Sequence, residues 1–219
     1  FTAMCHYLFQ AAGDDADRNG FGVRDLNVGN SSWVLSRVAM EFYRWPEHYD
    51  AFTIRTWVND VSRVMTTRNM EVTGSDGNLI AGVVTQWAMI DLDKRSALDI
   101  RENLDYNRIV TAEPSPISAP TRIARVEPQV FAEHKVVYSD IDFNRHVNSM
   151  KYLEWMFDML PMEKIDKYVL ARADIHFLHE GRYGEVLKIG WQPGERDAFE
   201  VGGPDGTPLC RAVFAWNKR

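Results

Sequence analysis

Cysteine is scarce in this chain, and long apolar runs are missing altogether. The two cysteines, Cys5 and Cys210, form no Cys-x-x-Cys pair and no paired Cys/His spacing, so we expect neither a disulfide framework nor a metal site. No apolar run approaches the ~20 residues that cross a bilayer, and the first residues lack the basic and then apolar order of a secretion signal. We therefore expect a cytoplasmic protein with no metal, no other cofactor and no membrane partner.

An excess of basic residues is also missing. The chain has 25 Lys and Arg against 31 Asp and Glu, a net charge of -6. Binding to nucleic acid needs a concentrated basic surface, so we expect no nucleic acid partner. What the chain does have is 45% hydrophobic and 26% charged residues over 219 positions, which is enough to bury a core.

Two stretches of the chain, 37–87 and 172–216, share a pattern of landmark residues. In both, a Trp follows a Tyr by eight positions, and a second Trp follows the Asp of an Asp-Gly pair by eleven. The landmarks are Tyr49, Trp57, Asp76 and Trp87 in the first stretch and Tyr183, Trp191, Asp205 and Trp216 in the second. Repeated spacing of this kind indicates an internal duplication.

Each Asp-Gly pair lies between runs of alternating and β-branched residues, a pattern that predicts a β-hairpin. The surrounding sequence predicts four antiparallel strands in each half of the chain. The predicted strands are 38–43, 52–59, 63–73 and 78–90 in the first half and 174–178, 186–192, 198–201 and 207–217 in the second.

A segment with helical spacing of apolar residues precedes each set of strands. The spaced residues are Met4, Leu8 and Ala11 or Ala12 before Gly13, and Met150, Leu153, Phe157 and Leu160 before Pro161. One helix followed by about four strands, given twice, predicts an α+β tandem (double) hot-dog fold in which an antiparallel sheet wraps each helix. We expect an N-terminal half at 1–111, a proline-rich linker at 112–121 and a C-terminal half at 122–219.

The densest polar cluster bracketed by apolar sequence lies at 140–149. Asp142, Asn144 and His146 occupy alternate positions among Ile141, Phe143 and Val147, so an extended chain would turn all three polar side chains to one side. Asn148 or Ser149 is a suitable N-cap for the following helix, whose free amides can stabilise an oxyanion. On the residues alone, a site for acyl transfer and a strand end with a structural histidine are equally favoured.

The stretch 140–155 closely resembles the signature Asp-Leu-Asp-x-Asn-x-His-Val-Asn-Asn-x-x-Tyr-hydrophobic-x-Trp of plant and bacterial acyl-acyl carrier protein thioesterases. Residues 33–37 and 43–46 resemble further elements of that family, so the similarity covers nearly the whole chain. The resemblance implies a tandem hot-dog enzyme that hydrolyses fatty acyl-acyl carrier protein (acyl-ACP) and releases free fatty acid. It also implies that Asp142, Asn144 and His146 are catalytic and that Glu180 is a fourth functional residue. The C-terminal half at 122–219 would then be catalytic, and the N-terminal half at 1–111 would form the substrate cavity.

One residue departs from the family pattern, which has a cysteine after the glutamate where this chain has Gly181. The departure excludes a cysteine nucleophile at that position. Neither Cys5, in the first helical segment, nor Cys210, which the duplication aligns with the strand residue Ala81, is a suitable replacement. We expect both to be buried, inert thiols.

The reaction must then use carboxylates and water. We expect either that Glu180, helped by His146, acts as general base on a water molecule, or that Asp142 attacks the thioester directly to give an anhydride. In both cases Asn144 would orient the water or the carbonyl oxygen.

The resemblance implies an acyl carrier protein with a phosphopantetheine-linked acyl chain as the partner. Other functions remain open: a thioesterase acting on acyl coenzyme A, a hydratase of acyl thioesters, or a non-catalytic module that binds acyl thioesters. Binding alone needs no pair of carboxylates beside an imidazole, which argues against the last. Fused halves form the pair that single hot dogs make by dimerising, so the chain is compatible with a monomer or a homodimer.

Overall fold

The computed structural model describes all residues from Phe1 to Arg219 and divides into two compact units, Ala3–Pro120 and Thr121–Arg219. Each unit combines one longer helix with an antiparallel sheet, which confirms the predicted α+β double hot-dog class. Residues 112–121 contain neither helix nor strand. No helix in the structure has both the length and the hydrophobicity that crossing a membrane requires.

The first unit contains three helices and four strands. They are α1 (Thr2–Arg18), α2 (Val23–Val28), β1 (Ser31–Phe42), β2 (Phe52–Val61), β3 (Thr66–Gly74), β4 (Leu79–Asp91) and α3 (Ile100–Asn103). The strands lie in the order β2-β3-β4-β1. Helix α1 runs past the predicted stop at Gly13, because Ala12 and Ala16 continue its buried stripe and Asp15 forms an ion pair with Arg68 of β3.

The second unit contains two helices and five strands. They are β5 (Val130–Lys135), α4 (Ser149–Asp158), α5 (Met162–Lys167), β6 (Tyr168–Phe177), β7 (Val186–Gln192), β8 (Arg196–Gly202) and β9 (Pro208–Lys218). The strands lie in the order β6-β9-β8-β7-β5. Helix α4 buries Tyr152, Leu153, Trp155 and Met156. The sequence did not predict β5 or α5, because β5 is a largely exposed edge strand without alternation and α5 is only six residues long.

The two sheets repeat the same irregularities, which supports the duplication. Leu35 lies opposite Trp87 in the first sheet and Leu170 lies opposite Trp216 in the second. In each case the next strand residue bulges out and the ladder resumes at an arginine. The predicted Asp-Gly hairpins also match, with Gly77 at φ 78° and Gly206 at φ 81°.

The matching registers identify one buried charge in each unit. Val72 lies opposite Ala81, and Val201 lies opposite Cys210, so Arg68 in β3 is equivalent to Asp197 in β8. Both charges are buried and paired, Arg68 with Asp15 at 2.6 Å and Asp197 with Lys164. The two units therefore place opposite charges at the same position of the fold.

Candidate active site

His146 and Glu180 form the centre of the candidate site. Their Nε2 and Oε2 atoms are 3.1 Å apart, although the two residues come from different turns of the second unit. His146 lies just before α4, and Glu180 lies between β6 and β7. Their side chains are 22% and 33% exposed, so both can reach water or a substrate. A carboxylate in contact with an imidazole is suited to general acid–base chemistry.

Asp142 closes the turn that carries Asn144 and His146. Its Oδ1 accepts hydrogen bonds from the amides of Asn144 at 2.8 Å and His146 at 3.2 Å. Its own amide donates to the carbonyl of His146 at 2.9 Å, and Arg145 adopts the left-handed φ of 64°. The extended conformation expected for 142–146 is therefore wrong, because side-chain to backbone hydrogen bonds favour a closed turn here.

Backbone hydrogen bonds bring Glu180 to His146. The amide of Val147 donates to the carbonyl of Gly181 at 2.9 Å, and His146 forms an isolated β-bridge with Arg182. The segment after β6 thus pairs with the segment before α4. This short pairing explains how residues far apart in sequence become neighbours, which residue spacing alone does not predict.

Helix α4 begins beside this pairing. Of the two predicted N-caps the structure has Asn148, whose side chain accepts a hydrogen bond from the amide of Met150 at 2.9 Å. The amide of Lys151 donates to the carbonyl of Asn148 at 2.8 Å. The amide of Ser149 has no acceptor in the structure. It remains available, at the electropositive end of the helix, to stabilise an oxyanion.

A second histidine and carboxylate, which no sequence pattern indicated, support the start of this loop. Asp140 Oδ2 lies 2.8 Å from Nε2 of His134 and accepts the amide of Val137 at 2.9 Å. The carbonyl of Asp140 accepts the amide of Asn148 at 2.8 Å. The ring of His134 packs on Trp155, with centroids 4.2 Å apart. Because β5 was not predicted, nothing in the sequence placed His134 near Asp140.

The remaining predicted site residue, Asn144, lies on the exposed side of the turn. Its backbone amide is bonded to Asp142, whereas its side chain makes no hydrogen bond within the protein. The side-chain amide is therefore available to a substrate or a water molecule. Its catalytic role stays a prediction.

The cysteines have the character expected of core thiols. Both Cys5 and Cys210 are fully buried. Burial raises the pKa of the Cys5 thiol to about 12 and also raises the pKa of Cys210. Since the thiolate is the reactive form, both side chains are poor nucleophiles at neutral pH.

The fold and site define a double hot-dog protein with a His–Glu pair at the start of the helix in its second unit. Residues 1–106 match the Acyl-ACP thioesterase N-terminal domain, and residues 123–213 match the Acyl-ACP thioesterase C-terminal domain. The chain belongs to the acyl-ACP thioesterase family.

Individual relatives agree with this assignment. A crystal structure of an acyl-ACP thioesterase from Bacteroides thetaiotaomicron is 32% identical, with a TM-score of 0.92 over 99% of this chain and 89% of that one. The 12:0-ACP thioesterase from Umbellularia californica is 17% identical, with a TM-score of 0.90 over 100% of this chain and 90% of that one, and shows the fold.

The curated relatives are longer proteins. Oleoyl-acyl carrier protein thioesterase 2, chloroplastic, of Arabidopsis thaliana is 24% identical over 169 residues, which are 71% of this chain and 46% of that protein. The chain thus spans about half the length of the curated relatives that it matches.

Proposed function

We propose that this chain hydrolyses fatty acyl-ACP thioesters and releases free fatty acid. Matches to both domains of the acyl-ACP thioesterase family support the substrate class. The observation that carries the catalytic part is the 3.1 Å contact between His146 and Glu180 beside the N-terminus of α4.

In the proposed mechanism, Glu180 and His146 remove a proton from a water molecule as its oxygen attacks the thioester carbonyl carbon. The amide of Ser149 and the side chain of Asn144 are suited to hold the carbonyl oxygen or the water. The C–S bond then breaks, and the abstracted proton passes to the departing sulfur. A thiol has a pKa of ~8.5, so its thiolate leaves with less help than an amine would need.

Direct attack by Asp142 is the alternative for the first step. The geometry favours Glu180, because Oδ1 of Asp142 already accepts two backbone amides and so has a structural task. Glu180 is instead bonded to an imidazole that can pass on a proton. We therefore assign the base to Glu180 and the closure of the turn to Asp142.

The substrate test compares acyl-ACP with acyl coenzyme A carrying the same acyl chain. We expect a higher kcat/KM for acyl-ACP, because the carrier protein adds a binding surface that coenzyme A lacks. Faster turnover of acyl coenzyme A would instead indicate an acyl coenzyme A thioesterase. Tight binding of both without release of fatty acid would indicate a non-catalytic module.

We further propose a cytoplasmic location, in which two buried thiols remain reduced. A monomer and a homodimer both remain compatible with fused halves. Sedimentation of the purified chain, with and without acyl-ACP, distinguishes the two states.

A further inference from the structure

We propose that Tyr152 is a positioning residue whose hydroxyl holds the backbone at Gly181 and thereby keeps Glu180 in contact with His146. This inference rests on the proposed function, because it concerns the orientation of the proposed base. Tyr152 itself does not touch the reacting atoms in this account.

The hydroxyl of Tyr152 is a buried hydrogen-bond acceptor for the active-site backbone. Tyr152 lies in the first turn of α4, is 3% exposed, and accepts the amide of Gly181 at 2.9 Å. Burial raises the pKa of its phenol, so the side chain is neutral at neutral pH.

Two hydrogen bonds fix Gly181 from both sides. Its amide is held by Tyr152, and its carbonyl accepts the amide of Val147 at 2.9 Å. Val147 directly follows His146, while the amide of Gly181 belongs to the peptide that begins at Glu180. The same short stretch of backbone thus fixes both members of the His–Glu pair.

Glycine at position 181 is part of the same arrangement. A Cβ atom built there would lie 3.0 Å from the Tyr152 hydroxyl oxygen and 3.0 Å from Cγ2 of Val147. Both contacts are tighter than usual, so the phenol or the Val147 side chain would have to move by a few tenths of an ångström. The hydroxyl of Tyr152 is therefore one of the two atoms nearest to a side chain placed at 181, and we expect the two positions to be coupled.

The first test is Tyr152→Phe, which keeps the ring and removes only the acceptor. We expect kcat for acyl-ACP to fall by about tenfold to a hundredfold. The buried amide of Gly181 loses its acceptor, and only the hydrogen bond from Val147 still holds the backbone next to Glu180. KM should change by less than about twofold, and the acid limb of the kcat pH profile should move. Tyr168→Phe is the matched control, because it removes a phenol hydroxyl from the half-exposed start of β6.

The second test measures the coupling between the two positions. Gly181→Ala alone should lower kcat, because the new methyl group displaces the phenol that holds the backbone next to Glu180. In the Tyr152→Phe background the methyl group loses its short contact with the hydroxyl oxygen and keeps the one with Cγ2 of Val147. In that background Gly181→Ala should therefore lower kcat by a several-fold smaller factor than it does in the parent chain.

Three results would overturn the inference. These are a folded Tyr152→Phe variant with the parent kcat and pH profile, a double variant whose losses simply multiply, or Gly181→Ala with the parent kcat. If Tyr152→Phe fails to fold, as judged by circular dichroism, Gly181→Ala alone still decides. Glu180→Gln distinguishes failure of this inference from failure of the proposed function. If Glu180→Gln is inactive and Tyr152→Phe has normal activity, only the positioning role of Tyr152 is wrong. If Glu180→Gln is fully active, Glu180 is not the base.

Discussion

At the scale of single residues, Asp142 has a task that can be separated from its charge. One oxygen of its carboxylate accepts the amides of Asn144 and His146. The oxygen of an amide side chain can accept the same two hydrogen bonds, whereas a methyl group cannot. Substitutions by asparagine and by alanine therefore distinguish closure of the turn from a chemical role of the negative charge.

We expect Asp142→Asn to keep kcat within about tenfold of the parent chain, since the turn stays closed. Asp142→Ala should lower kcat much further and destabilise the fold by about 1–3 kcal/mol, because two amides lose their acceptor. Steady-state kinetics and urea unfolding measure both effects. Equal and near-complete loss of kcat in both variants would instead identify Asp142 as the nucleophile.

The sequence located individual site residues better than it located their contacts. Asp142, Asn144, His146 and Glu180 follow from spacing and family resemblance, and the structure brings His146 and Glu180 together. The left-handed backbone of Arg145 had no signal, because such a conformation usually coincides with glycine or asparagine. A hydrogen bond made by one phenol oxygen to a distant amide has no local pattern to reveal it.

At the scale of elements, strand β6 is tied to the segment before β5 by a carboxylate. Asp174 accepts the amide of Thr121 at 3.0 Å and the guanidinium of Arg172 at 2.8 Å. Burial alone would raise the pKa of Asp174, but these hydrogen bonds outweigh it and lower the pKa below its ordinary value of 3.8. A carboxyl group whose pKa is lower in the folded state stabilises the fold at pH values above its unfolded-state pKa. This stabilisation is lost as the pH falls through the folded-state pKa.

We therefore expect Asp174→Asn to destabilise the chain at pH 7 and to reduce the dependence of its stability on pH below about pH 4. The measurement is the free energy of unfolding in urea from pH 7 down to pH 3, for the parent and the variant. Asp166→Asn, at an exposed position of α5, is the matched control and should leave the curve of the parent chain unchanged. Parallel curves for the parent and Asp174→Asn would contradict the assigned role.

Elements were predictable where one face is buried and the other is not. Strand β7 was predicted with its observed ends, Val186 and Gln192, and the helical stripe that becomes α4 was recognised. Strand β5 was missed because an edge strand with mostly exposed side chains needs no alternation. Strands β1 and β6 begin earlier than predicted, because the residues before each arginine continue the ladder past a bulge.

At the scale of the whole molecule, the two units share a strand register but differ in the sign of one buried charge. Asp197 is completely buried and accepts the indole N–H groups of Trp191 at 3.0 Å and Trp216 at 2.7 Å, besides its ion pair with Lys164. Both tryptophans are landmarks of the repeat. The equivalent Arg68 has a carboxylate partner instead. The sequence revealed the repeat through its fixed spacings, but it gave no indication that Asp197 is buried.

We expect Asp197→Ala to lower the free energy of unfolding by about 3–5 kcal/mol, because it leaves a lysine and two indoles without their acceptor. Asp197→Asn should cost less, since one oxygen remains to accept an indole hydrogen bond. Thermal and urea unfolding measure both variants. A loss below about 1 kcal/mol for Asp197→Ala would show that water replaces the carboxylate.

The most direct test of the whole account is the rate at which Glu180→Gln hydrolyses acyl-ACP. Glutamine keeps the size and a hydrogen bond to His146 but cannot take a proton from water. We expect kcat to fall by about 10²–10⁴-fold while the thermal midpoint stays unchanged. Glu195→Gln, at an exposed turn, should match the parent chain. A Glu180→Gln enzyme that hydrolyses acyl-ACP at the parent rate would contradict the central claim.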